Sequence, residues 1–318
     1  MIQVLLRLLA QALSKSAGRQ RLCILTYHRV LPTPDVLRPA EPDAAKFAEQ
    51  LQLLVRTFNI LRLDRAVSLL AADQLPPRAL SVTFDDGYRD NFDVALPILR
   101  RFEVPATFFV ASGFMAGGAM FNDTIIEAIR TAKRQSFALP WAEQQTVQIG
   151  SIAEKLQAID SLLPVVKKIP LVERARVVQE LAQRMDADPP SQLMMSAEQV
   201  KSLHEQGMEV GAHTLHHPIL SSLPDTEAQH EIAASKQQLE ALLGVPVTGF
   251  AYPNGRPGRD YAPVHAAMVQ QAGFAYAVST RWATADAASP LYELPRVAPW
   301  GDSALMFAAR AAHSYRDR

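Results

Sequence analysis

Thr83-Phe84-Asp85-Asp86-Gly87 is the stretch on which the reading of this chain turns. Two adjacent carboxylates close an apolar run, Leu80 to Phe84, and a glycine follows. The run reads as a buried strand and Gly87 as the turn that ends it. Neighbouring carboxylates at a strand end repel each other and lose hydration, and a cation beside them relieves both costs. A metal site is one reading. A solvated turn is the other, because Asp-Asp-Gly is ordinary turn chemistry.

A second cluster bears on that choice. Residues 208–218 run Met-Glu-Val-Gly-Ala-His-Thr-Leu-His-His-Pro, a short apolar run ending in polar residues. Pro218 disfavours a helix starting there. His213 and His217 are separated by three residues, close enough to share one ion from a turn or a single helical loop. One carboxylate and two imidazoles leave positions open for water and substrate, as in a catalytic rather than a structural metal site. The alternative is a surface loop that holds three of the chain's eight histidines. Taken together, the two clusters favour a metal hydrolase.

Thr-Phe-Asp-Asp-Gly followed by His-Thr-x-x-His-Pro resembles the polysaccharide deacetylase family, carbohydrate esterase family four. Pro105-Ala106-Thr107-Phe108-Phe109-Val110 resembles the strand after the first motif, and Phe250-Ala251-Tyr252-Pro253-Asn254-Gly255 a variant of the third. Ile24-Leu25-Thr26-Tyr27-His28-Arg29-Val30 resembles the opening strand of bacterial exopolysaccharide-type members. The likeness spans about residues 20–300, apart from a middle insertion.

Composition sets outer bounds. The chain has 318 residues, 48% hydrophobic and 20% charged, enough for one large domain or two small ones. Its 32 basic and 32 acidic residues cancel, and without a basic run nucleic-acid binding lacks electrostatic support. The single cysteine, Cys23, lies in an apolar run and reads as a core residue, so nothing demands an oxidising compartment. Arg7 interrupts the apolar N-terminus and no basic residue precedes it, which disfavours a signal peptide or a membrane span. Ile2, Leu5, Leu6, Leu9 and Leu13 form one helical stripe. That stripe fits a helix packed on the fold, or weak contact with a membrane surface. The expected location is cytoplasmic, with a peripheral position at the inner membrane face as a variant.

Strand-like runs recur at 22–26, 80–84, 107–110, 209–211, 249–252 and 275–279, with helical patterns between them. Ser196 and Gln199 form a capping box, Gly207 stops that helix, and a helix from Thr226 to Leu243 ends at Gly244. The alternation gives an α/β fold with a parallel sheet, open or closed, and functional residues at strand C-terminal ends. The resemblance implies a distorted (β/α) barrel with fewer than the usual eight strands. The expected organisation is a single catalytic domain over 1–318, with a helical insertion or lid over 119–195 rising from the catalytic face. Few strand signals occur in that insertion.

Family roles carry over residue by residue. Asp85 becomes the base, while Asp86, His213 and His217 hold one divalent ion, zinc by preference, with cobalt or nickel as replacements. Thr214 orients a ligand through its hydroxyl or bonds within the loop. Two departures stand out. The arginine that braces the catalytic aspartate is missing, with Thr248 in its place, and Arg296 is the candidate substitute; a surface salt bridge is its plain alternative. Asn254 replaces a tyrosine whose backbone N–H faces the developing oxyanion, and Asn254 carries the same donor. The late Leu-x-His motif is also missing. His313 lies in a polar, solvated tail, so His28, after the first strand, resembles the general acid; a core histidine bonded to a carbonyl is the alternative. His216 faces solvent.

The resemblance implies removal of N-acetyl groups from a sugar polymer or its lipid-linked precursor, in cell-surface or exopolysaccharide synthesis. The implied partner is an N-acetylated carbohydrate, and oligomeric state is open. Two rivals stay open: a carbohydrate-binding protein on a decayed esterase scaffold, and a metal-dependent esterase or amidohydrolase acting elsewhere.

Overall fold

The computed structural model describes residues 2–14, 20–188, 192–298 and 303–317. In chain order its elements are α1 (Ile2–Ser14), β1 (Leu22–Tyr27), α2 (Ala44–Thr57), β2 (Asn59–Ile60), α3 (Leu63–Ala71), β3 (Ala79–Phe84), α4 (Leu96–Arg101) and β4 (Ala106–Val110). Next come α5 (Phe121–Thr131), β5 (Ser136–Leu139), β6 (Ala142–Gln148), α6 (Ile152–Val166) and α7 (Leu171–Arg184). The chain then runs through α8 (Ala197–Glu205), β7 (Glu209–Ala212), α9 (Asp225–Leu243), β8 (Gly249–Ala251), α10 (Pro263–Gln271), β9 (Tyr276–Val278) and α11 (Ala304–His313). Chain contacts divide it into two compact units, one of residues 1–33, 40–116 and 195–318, the other of 34–39 and 117–194.

The first unit is built on a curled parallel sheet in the order β1-β3-β4-β7-β8-β9, with β2 beside the first residues of β3. Strand periodicity sorts its side chains. Cys23, Leu25, Tyr27, Leu80, Val82, Phe84, Phe108, Val210 and Phe250 join a core with Phe47, Leu51 and Leu54 of α2, Ile232 of α9 and Phe307 of α11. The alternate residues, Ile24, Ser81, Thr83, Thr107, Phe109, Glu209, Gly211, Ala251 and Tyr276, share the other register. The apolar run 80–84 is thus Leu-Ser-Val-Thr-Phe, buried on both faces, with its small polar residues on the second face.

Two glycines make room on that second face. A Cβ at Gly211 would lie 2.5 Å from the Phe109 ring, and one at Gly249 would lie 2.5 Å from the Tyr276 hydroxyl. Glu209 is buried at the N-terminal end of β7. Tyr276 and Thr107 hydroxyls donate to it at 2.7 and 2.6 Å, and the Asp64 backbone N–H at 3.2 Å. Burial, joined by Asp64, raises its carboxyl above the usual range against those donors.

Residues 293–297 bridge the two edge strands. Ser279 N–H donates to Leu294 O at 2.8 Å and Leu294 N–H to Ala277 O at 2.9 Å, on the β9 side. Val297 N–H donates to Ile24 O at 2.8 Å, and Val297 O accepts from Thr26 N–H at 3.0 Å, on the β1 side. No strand pattern marked this segment in the sequence.

The capping signals formed as read. Ser196 and Gln199 close a reciprocal box on α8, and Gly244 ends α9 at φ +71°. The C-terminal tail differs from its expected polar, solvated form. Phe307, Ala308, Ala311 and Ala312 bury one side of α11, and the Tyr315 hydroxyl, fully buried, donates to Ala79 O at 2.6 Å; His313 itself is exposed. Alanine-rich helices carry a weak hydrophobic period, which hid this one. Helix α1 packs on α2 and α11. Within its stripe Leu6 is buried and Leu13 half-buried, Leu9 is exposed, and the side chains of Ile2 and Leu5 lie outside the described residues.

The second unit holds α5, α6 and α7 around Ile125, Ile129, Ile159, Leu162 and Leu181. Buried Arg38 donates to Asp123 and Glu127 at 2.9 and 3.0 Å. It also contains a β5–β6 hairpin that the sequence reading did not anticipate. Strand β6, Ala-Glu-Gln-Gln-Thr-Val-Gln, is polar and mostly exposed, so it lacked an apolar alternation.

Cys23 gives a direct test of the first unit. Burial pushes its thiol up to about 12, the Ser314 hydroxyl opposing. At mildly alkaline pH the native thiol should react with an aromatic disulfide reagent about a hundredfold more slowly than in urea. Equal rates in the two conditions would show that β1 is not packed as described.

Candidate active site

Parallel strands deliver the chemistry to one end of the sheet. Asp85 continues the second-face register of Ser81 and Thr83, and its N–H donates to Tyr27 O at 2.9 Å. Simple alternation would send Asp86 to the other face. Instead its φ is +76°, a left-handed conformation that Asp tolerates better than most residues, and the chain turns under it. Gly87 follows at φ +87°, and a Cβ there would meet Val110 Cγ1 at 3.0 Å. The turn therefore needs glycine for both conformation and space.

Among the described residues, one group of metal-capable side chains converges: Asp86, His213 and His217, with ligand atoms all within 4.8 Å of one another. Asp86 Oδ1 lies 3.4 Å from His213 Nε2 and 3.3 Å from His217 Nε2. It is buried with no hydrogen-bond partner. His213 Nδ1 lies 2.7 Å from Ala251 O, which can only accept, so Nδ1 carries a proton and Nε2 is the atom turned toward Asp86. Burial works to lower this imidazole, but Asp86 and Asp85 outweigh it and hold the ring above its ordinary value, the pull toward positive charge that a cation would also answer. Burial pushes His217 down to about 4, with Asp86 opposing, so its ring is neutral near pH 7. Two imidazole Nε2 atoms facing an orphaned carboxylate oxygen suit a divalent cation.

Thr214 ties the two histidines together. Its hydroxyl donates to His213 O at 2.5 Å and accepts from His217 N–H at 3.0 Å. It touches backbone, not an imidazole, so the loop-bonding reading is the one realised. His216 is only half turned to solvent: its Nδ1 lies 2.8 Å from Glu231, which also accepts the N–H groups of Leu215 and His216, each at 2.9 Å.

Arg296 lies in the bridging segment and is fully enclosed. Its guanidinium donates to both oxygens of Asp85, each at 2.6 Å. Nε donates to Ser279 O at 3.0 Å, and Nη1 also reaches the Thr83 hydroxyl at 3.2 Å. This is a buried bidentate pair, not a surface bridge. Burial alone would raise the Asp85 carboxyl; Arg296, with His213 and His28, outweighs it and holds the group below the usual carboxylate range. Thr248 sits just before β8 and contacts Glu209 at 3.4 Å, at the opposite end of the sheet from Asp85.

His28 follows β1 directly and is exposed, so it is not a core histidine. It stands close enough for its charge to bear on Asp85, Asp86 and His217. Asn91 Nδ2 donates to its carbonyl at 2.9 Å, and Asp90 pairs with Arg29 at 2.6 Å. Asn254 follows β8 at φ +59°, and Thr280 donates to its carbonyl at 2.7 Å.

Four anchoring residues escaped the sequence reading. Glu231 occupies a buried-face position of α9 beside Ala228 and Ile232, and a carboxylate there was a usable signal. Asp90 and Asn91, which hold the 28–30 turn, looked like an ordinary polar helix start. Ser279 contributes a backbone carbonyl, which no sequence marks.

Comparison with known proteins follows the same line. The sequence profile of the family described as Polysaccharide deacetylase matches residues 72–277. YxkH of Bacillus subtilis (strain 168), a protein carrying the polysaccharide deacetylase name, is 21% identical over 286 residues, covering 89% of this chain and 73% of YxkH. The fold is similar to that of the Streptococcus pyogenes deacetylase PplD in complex with acetate, at TM-score 0.61 and 20% identity, over 90% of this chain and 96% of that one. It is also similar to IcaB from Ammonifex degensii, at TM-score 0.60 and 22% identity, over 92% and 97%. On the strength of the profile match, this chain belongs to the polysaccharide deacetylase family, hydrolases of N-acetylated carbohydrate.

Proposed function

We propose that the chain is a metal-dependent N-deacetylase of a sugar polymer or its lipid-linked precursor, serving cell-surface or exopolysaccharide synthesis. One observation carries the reading: a carboxylate held ionised by a buried bidentate arginine stands next to an orphaned carboxylate oxygen between two imidazoles. The exopolysaccharide setting draws its support from the Ile24–Val30 strand.

Asp86, His213 and His217 would hold the ion, with zinc first and cobalt or nickel as replacements. Such an ion supplies Lewis acidity toward the acetyl carbonyl and acidifies water. Asp85 takes the proton of the attacking water, whose oxygen bonds to the acetyl carbon. Arg296 fixes both Asp85 oxygens, so the base has one orientation and stays ionised at neutral pH. The Asn254 backbone N–H donates to the developing oxyanion. As the carbon–nitrogen bond breaks, His28 gives a proton to the departing amine, and acetate is left. The binding-only alternative rests on the changes at Thr248 and Asn254; the Arg296 pair with Asp85 weighs against the first, and the backbone donor that Asn254 keeps weighs against the second.

Acetate release from an N-acetylglucosamine oligomer with metal supplied tests the whole reading. His213→Ala with His217→Ala should drop bound zinc well below one ion per chain; stoichiometric metal in that variant would end the ligand assignment. Asp85→Asn should lower turnover by about a hundredfold or more while metal stays bound. Arg296→Met leaves the Asp85 carboxylate buried and unpaired, and should cost about 3–5 kcal/mol in a denaturant titration. Adding Asp85→Asn to that variant should restore part of the loss, and strict additivity would argue against the pair.

His28→Ala separates acid from scaffold. An amine leaves poorly until protonated, whereas an activated ester needs little help. The variant should therefore lose far more rate on N-acetyl substrate than on aryl acetate, with an unchanged melting temperature. Equal losses and a lower melting temperature would count against the acid role.

A further inference from the structure

We propose that Glu231 is a positioning residue that sets how tightly the chain holds its ion, by gripping residues 214–217 in a strained shape that the fold, not the ion, imposes. The inference rests on the reading of Asp86, His213 and His217 as ligands, and it names a residue outside that set. His213 and His217 face Asp86 across a loop that twice leaves the ordinary backbone range: Thr214 has φ +65° and His217 φ +56°. A β-branched residue in the left-handed region is an outlier, and such strain persists only where the surroundings over-determine it.

The surroundings do so from two sides. On one, Glu231 Oε2 accepts the N–H groups of Leu215 and His216, each at 2.9 Å, and Oε1 lies 2.8 Å from His216 Nδ1. Two successive N–H groups converging on one oxygen form the nest that such a turn creates. On the other side, the turn after β4 holds the loop's carbonyls. Ser112 N–H donates to Thr214 O at 3.2 Å and Gly113 N–H to Leu215 O at 2.9 Å. Gly113 fits because a Cβ there would lie 2.8 Å from Leu215 O and 2.9 Å from the His216 ring. Glu231 itself is buried on the core face of α9, beside Ala228 and Ile232. A carboxylate in that place costs desolvation that an apolar side chain avoids. Its hydrogen bonds among the described residues go to this loop, and neither Leu215 nor His216 is a ligand. Glu231 therefore acts through loop shape. Ligands already in position lose little freedom on binding, which favours affinity. Without Glu231, water can satisfy the two N–H groups but cannot fix their direction.

Zinc affinity, read by competition with a chromophoric chelator at neutral pH, tests this without turnover. Glu231→Met fills the core-facing position with an apolar chain of similar length, and should weaken zinc binding by about ten- to a hundredfold. Gly113→Ala, acting from the opposite side, should weaken it by about tenfold or more. Glu231→Gln keeps an oxygen for both N–H groups and should bind nearer to the native chain than to Glu231→Met. Amide exchange of the metal-free chain separates loop shape from general stability. The Leu215 and His216 amides should exchange about tenfold or more faster in Glu231→Met than in the native chain, while the β3 and β4 amides keep their protection. Native zinc affinity in Glu231→Met, or equal exchange at 215 and 216 in the two chains, would overturn the proposal and leave the ligands as assigned. A native chain that binds no zinc would overturn the ligand assignment, and this inference with it.

Discussion

The pair between Asp85 and Arg296 is the contact on which this architecture rests. It joins residues 211 positions apart, with both side chains almost wholly enclosed. A carboxylate in that place without its guanidinium would face a desolvation cost of several kcal/mol, on the order of what a domain's whole stability can bear. The strand that ends in Asp85 and the bridging segment that carries Arg296 therefore specify each other. Thr83 and the Ser279 carbonyl extend the constraint, because they hold the guanidinium plane before any substrate arrives.

Two buried carboxylates in the same unit show how environment divides roles. Glu209 meets hydroxyl and amide donors and no cation among its close partners, so burial prevails and its proton is held more tightly. Asp85 meets a fixed guanidinium, and its proton is released more easily. Both lie in the register that Thr83, Thr107 and Phe109 share. One end of that register carries a structural acid and the other the candidate base.

Much of this was legible in the sequence because the relevant chemistry sits at strand ends, where short apolar runs give way to unusual polar pairs. Asp86, His213 and His217 converge as their motifs implied. Strand spacing alone left an open sheet and a closed one equally allowed; the bridging by 293–297 depends on backbone bonds that any residue can make, and so left no trace. Arg296 could be named only as a candidate, since nothing local distinguishes a buried guanidinium from a surface one. Glu231 was overlooked although a carboxylate on the buried side of α9 was visible. The β5–β6 hairpin lacked a signal, because its exposed strand has no apolar face to announce.

The bridging segment also orders events during synthesis. Until residues 293–297 leave the ribosome, β1 and β9 both present unpaired backbone edges, the kind of surface that recruits foreign strands. A contact spanning 211 residues is among the last that a growing chain can form, and such long-range closure is slow. Nascent chains of this protein thus carry the Asp85 carboxylate without its guanidinium partner, and β1 with one open edge, for most of their elongation.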